Sequence, residues 1–523
     1  MTPLRERLSN AAPRDAATRD ALRERAAPCL GVDPRALGAF RIALALLLLG
    51  DLLVYRLPGL RAFYTDEGVL PRSTLAEVYP TLEAVSIHAV SGSARVQAAL
   101  LALAAGAAVC LLVGYRTRAS TAVSLVLLAS LYARNPFVIN GGNTILVAFL
   151  FLALFLPLDA RWSLGGSRRS DRRDRDELDG RGDLDERDGD ERGTGSDRRV
   201  CSLGTAVALL TLVSIYAANA VSKYRSDAWM SGVAVPRIYQ VEEFVVGLGP
   251  LISERTAVLA AVNWLWIALL AASVLLLVPS ERLRTGVVLS FVAAHLGMAA
   301  TMRLAVFPFV MIAVLLLFLP PRVWDAVEGV ASKARVPARL AAPALRSDGG
   351  SADATASAPS VPSGVRRGVR VAAAVLLVGF FVALVWWQAA GVGLVDLPAS
   401  ESTGGLSEVS WSFFAPNPPD TSSWYVVRAT LDSGESVDAL GGGAVAFDRP
   451  PDAAETYPTT LWHQFGHRTR YAGETRYRPV AAYVCERADR SVESVTVFHV
   501  EQEVGPTGPV GPPEPQKRIT AAC

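Results

Sequence analysis

Lysine is almost missing from this chain. Of 51 basic side chains only Lys223, Lys333 and Lys517 are lysine, so any position that keeps an amine stands out against an arginine background. Charge is scarce too. Only 19% of residues are charged and 51% are hydrophobic, with the apolar residues gathered in long uncharged runs, which excludes a soluble globular enzyme. The five cysteines stand at positions 29, 110, 201, 485 and 523. No pair has metal-ligand or redox spacing, so neither a zinc site nor a disulfide framework is expected. The chain has no Walker loop, no dinucleotide fingerprint and no haem motif. The formal net charge of +2 hides strong local asymmetry.

What the chain does have is membrane-helix signal. Nine spans are expected, near 37–55, 96–113, 119–131, 143–158, 203–221, 256–278, 283–300, 304–319 and 369–387. The third, fourth and eighth are short, and the count is eight if one of them is re-entrant. The arginines sort consistently with nine. Arg5, Arg7, Arg14, Arg19, Arg23, Arg25 and Arg35 place the tail 1–36 in the cytoplasm, and threading from there puts the other arginine-rich loops inside as well. The region after about 391 then lies outside. The polar N-terminus is not a cleavable signal peptide, and an amphipathic helix over 5–25 is compatible with it. The fold class is therefore a polytopic all-α membrane protein of the cell membrane, with a small C-terminal extracytoplasmic α+β domain.

The soluble pieces divide as follows. Residues 37–320 form a body of eight helices. Its loop 168–199 holds ten arginines and twelve acidic residues and reads as a disordered cytoplasmic segment. Residues 321–368 read as a cytoplasmic linker, 369–390 as the ninth helix and 391–504 as the outer domain. In that domain 424–431 is strand-like, 437–447 offers another strand or two, 479–487 reads as a helix and 492–500 as a strand. Between 396 and 503, sixteen acidic residues face eight arginines, a net of about −8. The tail 505–523, rich in Gly and Pro, reads as disordered.

Lys223 is the strongest candidate for chemistry. It falls two residues past the expected end of the fifth span. Arginine cannot release its proton at useful pH, whereas a partly desolvated lysine can, so this amine is a candidate general base; the competing reading is an interfacial anchor. Asp227, four residues on, could hold the amine charged or orient it. His295 is the only histidine inside a span, and polar groups in a bundle tend to face its interior. His88 sits in the long loop 58–94, which reads as a cover over the bundle. His463 and His467 are four apart without the glutamate of a metalloprotease motif and read as surface residues. Asn143 follows two glycines, where it could cap the fourth helix or reach a ligand.

Several blocks, taken in order, resemble the horizontally transferred transmembrane (HTTM) domain family, relatives of the vitamin K-dependent gamma-carboxylase. They are Phe63-Tyr-Thr-Asp-Glu-Gly-Val-Leu-Pro-Arg72, Asn135-Pro-Phe-Val-Ile-Asn-Gly-Gly-Asn143, Phe155-Leu-Pro-Leu-Asp-Ala-Arg-Trp-Ser163, Lys223 with Trp229 and Gly232, Phe307-Pro-Phe-Val-Met311, and Trp411-Ser-Phe-Phe-Ala-Pro-Asn-Pro418. The resemblance spans about residues 35 to 500. It implies a helical membrane body with a site open to the non-cytoplasmic side, where a lysine deprotonates a reduced quinone and oxygen turns the resulting anion into a stronger base. Under that resemblance Lys223 and His295 are the expected catalytic residues, and Asn140, Asn143 and Trp229 are expected to hold the cofactor. The cofactor is a reduced quinone of the menaquinone or vitamin K kind, and no metal is expected. The carboxylases carry Asn-Asn-His near the fourth helix; here the segment is Ile139-Asn140-Gly141, without the histidine. The expected partners are the lipid bilayer, a lipophilic quinone and an extracytoplasmic protein or peptide, with no nucleic acid. The alternative is a non-catalytic scaffold whose acidic outer domain binds an envelope partner. The enzyme reading expects Lys223, His295 and Asn140 to converge around a lipid-accessible cavity; the scaffold reading expects no cavity and a Lys223 exposed to headgroups.

Overall fold

The computed structural model describes residues 25–164, 199–333, 363–396, 411–452, 456–488 and 491–523. The expected N-terminal amphipathic helix and the charged loop 168–199, apart from Arg199 (and from Arg25 in the helix), lie outside the described residues.

In hydrocarbon every backbone N–H and C=O must be bonded within the segment, so uncharged apolar runs become helices. Each of the nine expected segments is helical: α1 (Pro34–Gly50), α2 (Ala94–Val113), α3 (Thr117–Arg134), α4 (Gly141–Ala153), α5 (Leu203–Tyr224), α6 (Thr256–Ala271), α7 (Glu281–Thr301), α8 (Phe307–Leu315) and, after α9 (Pro321–Lys333), α10 (Ser363–Gly391). Local chemistry sets their starts. Asp33 caps α1 by accepting from the Arg35 amide, with Pro34 at the first position, and Ser202 with Thr205 forms a capping box on α5.

Six stretches are long and apolar enough to cross a membrane: Pro34–Arg56, Ala94–Val113, Leu203–Tyr224, Thr256–Leu277, Glu281–Thr301 and Gly364–Gly391. The pair Phe307–Phe318 and Pro321–Val330, bent by 104°, makes a seventh if taken as one span. The protein is thus a polytopic membrane protein with six or seven such helices among the described residues. The nine-span expectation counted two further helices. Of these, α4 has 13 residues, short of the roughly 20 an untilted span needs. The other, α3, carries five Ser and Thr residues and two arginines, Arg118 and Arg134, on its 18 positions, with Arg116 flanking it.

Residues 321–333 were expected to be linker and are helical instead. The reason is two-sided contact: Trp324 is buried, while Asp325 and Glu328 reach Arg35 at 2.7 and 3.1 Å and Glu328 reaches Arg161 at 3.0 Å.

An ion pair with both members buried lies inside the body. After Gly50, α1 continues as a π-helical turn, Asp51–Arg56. That turn brings Arg56 Nε to 3.1 Å from Asp51 Oδ2, with both side chains essentially without solvent contact. Tyr132 donates to Asp51 at 3.0 Å, Asn143 donates to the Tyr132 hydroxyl at 2.9 Å, and Arg56 also donates to Tyr64 and to the Val138 carbonyl. Charges in this setting persist only when every partner is in place.

The C-terminal domain is a four-stranded antiparallel sheet in the order β2-β1-β3-β4, with β1 (Thr421–Leu431), β2 (Ser436–Asp438), β3 (Val492–Gly505) and β4 (Gly508–Ala522). Its helices are α11 (Thr460–Thr469) and α12 (Glu474–Arg487). On one face of β1, Tyr425, Val427 and Ala429 join the core shared with the helical body; on the other, Trp424 and Val426 pack with Val500. Phe63 and Phe137 of the body meet Trp462 and Phe465 of α11 at 5.1 and 6.1 Å between ring centres.

Three expectations are corrected here. The tail 505–523 is not disordered: β4 pairs with β3 from Gly508 to Ala522. Its prolines are tolerated because β4 is an edge strand, where a missing donor breaks no inner ladder. A disulfide is present as well, Cys485–Cys523, fastening the end of β4 to α12; its sequence separation of 38 matches no short-spacing motif. Finally, α12 begins at Glu474 rather than at Pro479, which lies inside it.

Candidate functional site

Helix α5 extends to Tyr224, so Lys223 lies in its last turn rather than beyond it. Tyr216, Asn219 and Lys223 follow one another at helical spacing on one face of α5, and all three are buried. A short helix, Asp227–Met230, turns Trp229 back over that end. The Lys223 Nζ sits 4.5 Å from the centre of the Trp229 ring. It donates to Asn219 Oδ1 at 3.3 Å and to the carbonyls of Ser412 and Phe413 at 3.1 and 2.9 Å. Among the described residues no carboxylate pairs with it, Asp227 included.

The two carbonyls belong to the strap between α10 and β1. This strap is gripped carbonyl by carbonyl. Asn219 Nδ2 donates to Trp411 O at 2.6 Å, Trp229 Nε1 to Phe414 O at 2.8 Å and Ser226 Oγ to Pro416 O. Phe413 and Phe414 adopt left-handed backbone angles, φ 35° and 57°, which turns successive carbonyls toward α5.

The Phe413 ring packs against Phe307 at 4.2 Å between centres. Glycine makes that approach feasible. A Cβ on Gly141 would lie 2.6 Å from the Phe413 ring, and one on Gly142 would lie 2.6 Å from the Phe307 Cα. Asn140 and Asn143 are consumed by the same corner. Asn140 is the N-cap of α4, Asn143 returns the bond to the Asn140 amide, and Asn140 Nδ2 donates to Leu304 O at 3.3 Å. Asn140 rather than Asn143 is therefore the cap. His295 is fully buried on α7, with Nδ1 2.7 Å from Phe291 O and its ring 5.8 Å from Phe307 and 5.7 Å from Trp266.

The structure thus brings Lys223 and Trp229 into contact, sets His295 beside Phe307, and uses Asn140 and Asn143 in the cap of α4. The side chains missed in the sequence are Tyr216 and Asn219, polar interruptions of the apolar α5, and the strap carbonyls, which have no signature. Lys223 is buried, contrary to the scaffold expectation. The cleft between α1 and α8, about 350 Å³, lies elsewhere. It is lined by Leu46, Gly50, Asp51, Tyr55, Val306 and Phe309 among others, and by none of the expected site residues.

Three other histidines also find defined places. His88 is buried, its Nδ1 2.8 Å from Ser130 Oγ, and burial with Arg134 nearby lowers its pKa to about 4. His463, expected at the surface, is buried because α11 docks against the turn Glu242–Phe244; its ring is 5.1 Å from Phe244. Burial, with His467 and Arg303 near, holds its pKa well below the usual range. His467 Nδ1 lies 3.7 Å from Glu243. Among the described residues no group of three or more His, Cys, Asp or Glu is arranged to hold a metal ion.

Fold and site together define a polytopic membrane protein whose C-terminal α+β domain is strapped to a buried lysine. Comparisons of the chain with family models, with curated proteins and with solved structures gave no match.

Proposed function

We propose that this is a multi-pass enzyme of the cell membrane, of the HTTM and gamma-carboxylase-like kind, in which Lys223 serves as general base toward a lipid-soluble reduced quinone at the outer face. The observation that carries the reading is the setting of Lys223: a buried amine held, among the described residues, by neutral oxygens and an indole face. The neighbouring residues suit a flat ring bearing hydroxyls. Trp229, Phe307, Phe413 and Trp266 offer ring surfaces, and His295 Nε2 is a buried atom with no protein partner among the described residues. A reduced quinone, when bound, supplies two electrons and a weakly acidic hydroxyl. Lys223 takes that proton, Asn219 steadies the amine, and the strap carbonyls of Ser412 and Phe413 release Nζ as substrate enters. Dioxygen is the electron acceptor this reading requires.

The test is oxygen uptake by the purified full-length protein given reduced menaquinone or vitamin K analogues. Lys223→Arg keeps the charge but cannot act as a base, so quinol-dependent uptake should fall by a factor on the order of 100 or more while the protein stays folded. Unchanged uptake in Lys223→Arg removes the base. A specific observation favours a second reading: the three donors of an ammonium are matched by three oxygens, so Lys223 could act as a staple for a non-catalytic scaffold whose acidic domain binds an envelope partner. No uptake in the parent protein puts that reading ahead.

For sidedness, nine spans with the tail inside and the C-terminal domain outside remain our reading, with α3 and α4 counted as spans. The arginine distribution supports it, as does the Cys485–Cys523 disulfide, since disulfides persist on the oxidising side of a membrane. With Cys29, Cys110 and Cys201 replaced, a thiol introduced at the exposed Ser332 should resist an impermeant maleimide in intact cells, and one at the exposed Ser433 should react. Labelling of both, or of neither, overturns the assignment.

A further inference from the structure

Helices α5 and α7 place on neighbouring rings two buried polar atoms that no protein group satisfies among the described residues: Tyr216 Oη and His295 Nε2. The rings that carry them are 6.1 Å apart between centres. Their hydrogen-bonding characters are complementary. His295 Nδ1 lies 2.7 Å from the Phe291 carbonyl, and a carbonyl can only accept. Nδ1 therefore carries the proton of the neutral ring, and Nε2 presents a lone pair. The Tyr216 hydroxyl has a proton to give.

Both rings are held by the same turn of α7. Tyr216 lies flat on Phe291, 4.2 Å between centres and 10° between planes, and Phe291 is one helical turn before His295. Trp266 meets both Phe291 and His295 edge-on, at 6.1 and 5.7 Å. Both residues are buried. A buried donor or acceptor left unmade is costly, and a complementary donor and acceptor on neighbouring rings are the pattern that one small bridging group completes.

We propose that Tyr216 and His295 form a binding site for a single hydroxyl group, which accepts from the Tyr216 phenol and donates to His295 Nε2. That hydroxyl belongs either to a buried water or to a phenolic ring such as a quinol. The quinol identity rests on the function proposed above; the hydroxyl site does not. Tyr216 shares its face of α5 with Asn219 and Lys223, so a ring hydroxyl held there lies on the same side of the helix as the amine.

The test uses the full-length protein in lipid nanodiscs and reads thermal unfolding, independently of any oxygen uptake. If one hydroxyl bridges the pair, Tyr216→Phe and His295→Leu each lower the midpoint by several degrees. The double variant then loses much less than the sum, because the first substitution already releases the guest. If nothing bridges them, Tyr216→Phe removes an unpaired hydroxyl, the midpoint rises or holds, and the two effects add; that result overturns the proposal. Tetramethylhydroquinone and its dimethyl ether then separate the two sources. A midpoint raised by the hydroquinone in the parent, but not by the ether and not in either variant, assigns the hydroxyl to a quinol. Coupling between the two substitutions with no response to the hydroquinone assigns it to water and supports the site in that form.

Discussion

Asp51→Ala should destabilise the protein by about 3–5 kcal/mol, the cost of leaving one member of a buried ion pair without its partner. Arg56 would then keep only the Tyr64 hydroxyl and the Val138 carbonyl, with its ring contact to Tyr132 at 5.0 Å. The loss should spread. Tyr132 would lose its acceptor, and Asn143, which donates to Tyr132, links the damage to the cap of α4. Arg56→Ala should cost a similar amount. The informative variant carries leucine at both positions. It removes both charges together, so it should recover most of the loss, because the penalty belongs to the uncompensated charge rather than to the missing attraction. Unfolding in detergent followed by circular dichroism would measure all of these. An Asp51→Ala loss below about 1 kcal/mol would show that water reaches the pair and that it is not part of the helical core.

Acid should weaken the protein before its ordinary carboxylates titrate. His88 and His499 are folded in with pKa values lowered to about 4 and about 3. Burial is the main cause in each, assisted by Arg134 near His88 and by Arg518, Arg470 and His467 near His499. His463 is lowered in the same direction. The unfolded chain takes up protons on these residues near pH 6.5, so below that value it binds more protons than the folded one. The stability these neutral rings provide is therefore complete above pH 6.5. It is lost as the pH falls toward 4 and 3, at up to about 1.4 kcal/mol per pH unit for each histidine. Unfolding midpoints taken at pH 7.5, 6.5, 5.5 and 4.5 should be level over the first step and then fall. The fall should be shallower in His499→Phe. A level profile down to pH 4.5 would mean that these rings are already protonated or hydrated in the folded protein.

Much of the architecture was legible because hydrophobic length is a local property. Every expected apolar segment became a helix. The number that cross could not be read, because α3 and α4 take part of their stability from packing, and packing depends on neighbours. Lys223 was legible for a compositional reason, as an amine in an arginine-rich chain. Its partners were not. Two of them are backbone carbonyls 189 and 190 residues away, and a carbonyl is the same in every amino acid. His463 and His467, read as surface residues, lie four apart on α11, yet burial of His463 depends on the distant turn around Glu243 and Phe244. Asp51 is a charge inside an apolar run, and such a residue needs a partner; Arg56, five positions on, meets it only because the turn between them is π-helical. The tail was misread because glycine and proline lower strand propensity without forbidding an edge position.

The two rims of the C-terminal sheet bear on how molecules behave when crowded in a membrane. A sheet rim with free donors and acceptors invites a strand from a neighbour, the usual start of edge-to-edge aggregation. One rim here is β2, three residues long, too short to template a stable pairing. The other is β4, where Pro509, Pro512, Pro513 and Pro515 each remove a donor, and where the Cys485–Cys523 bond prevents the end from peeling away to exchange with another chain. The composition that made this strand look shapeless is what keeps the domain from recruiting copies of itself.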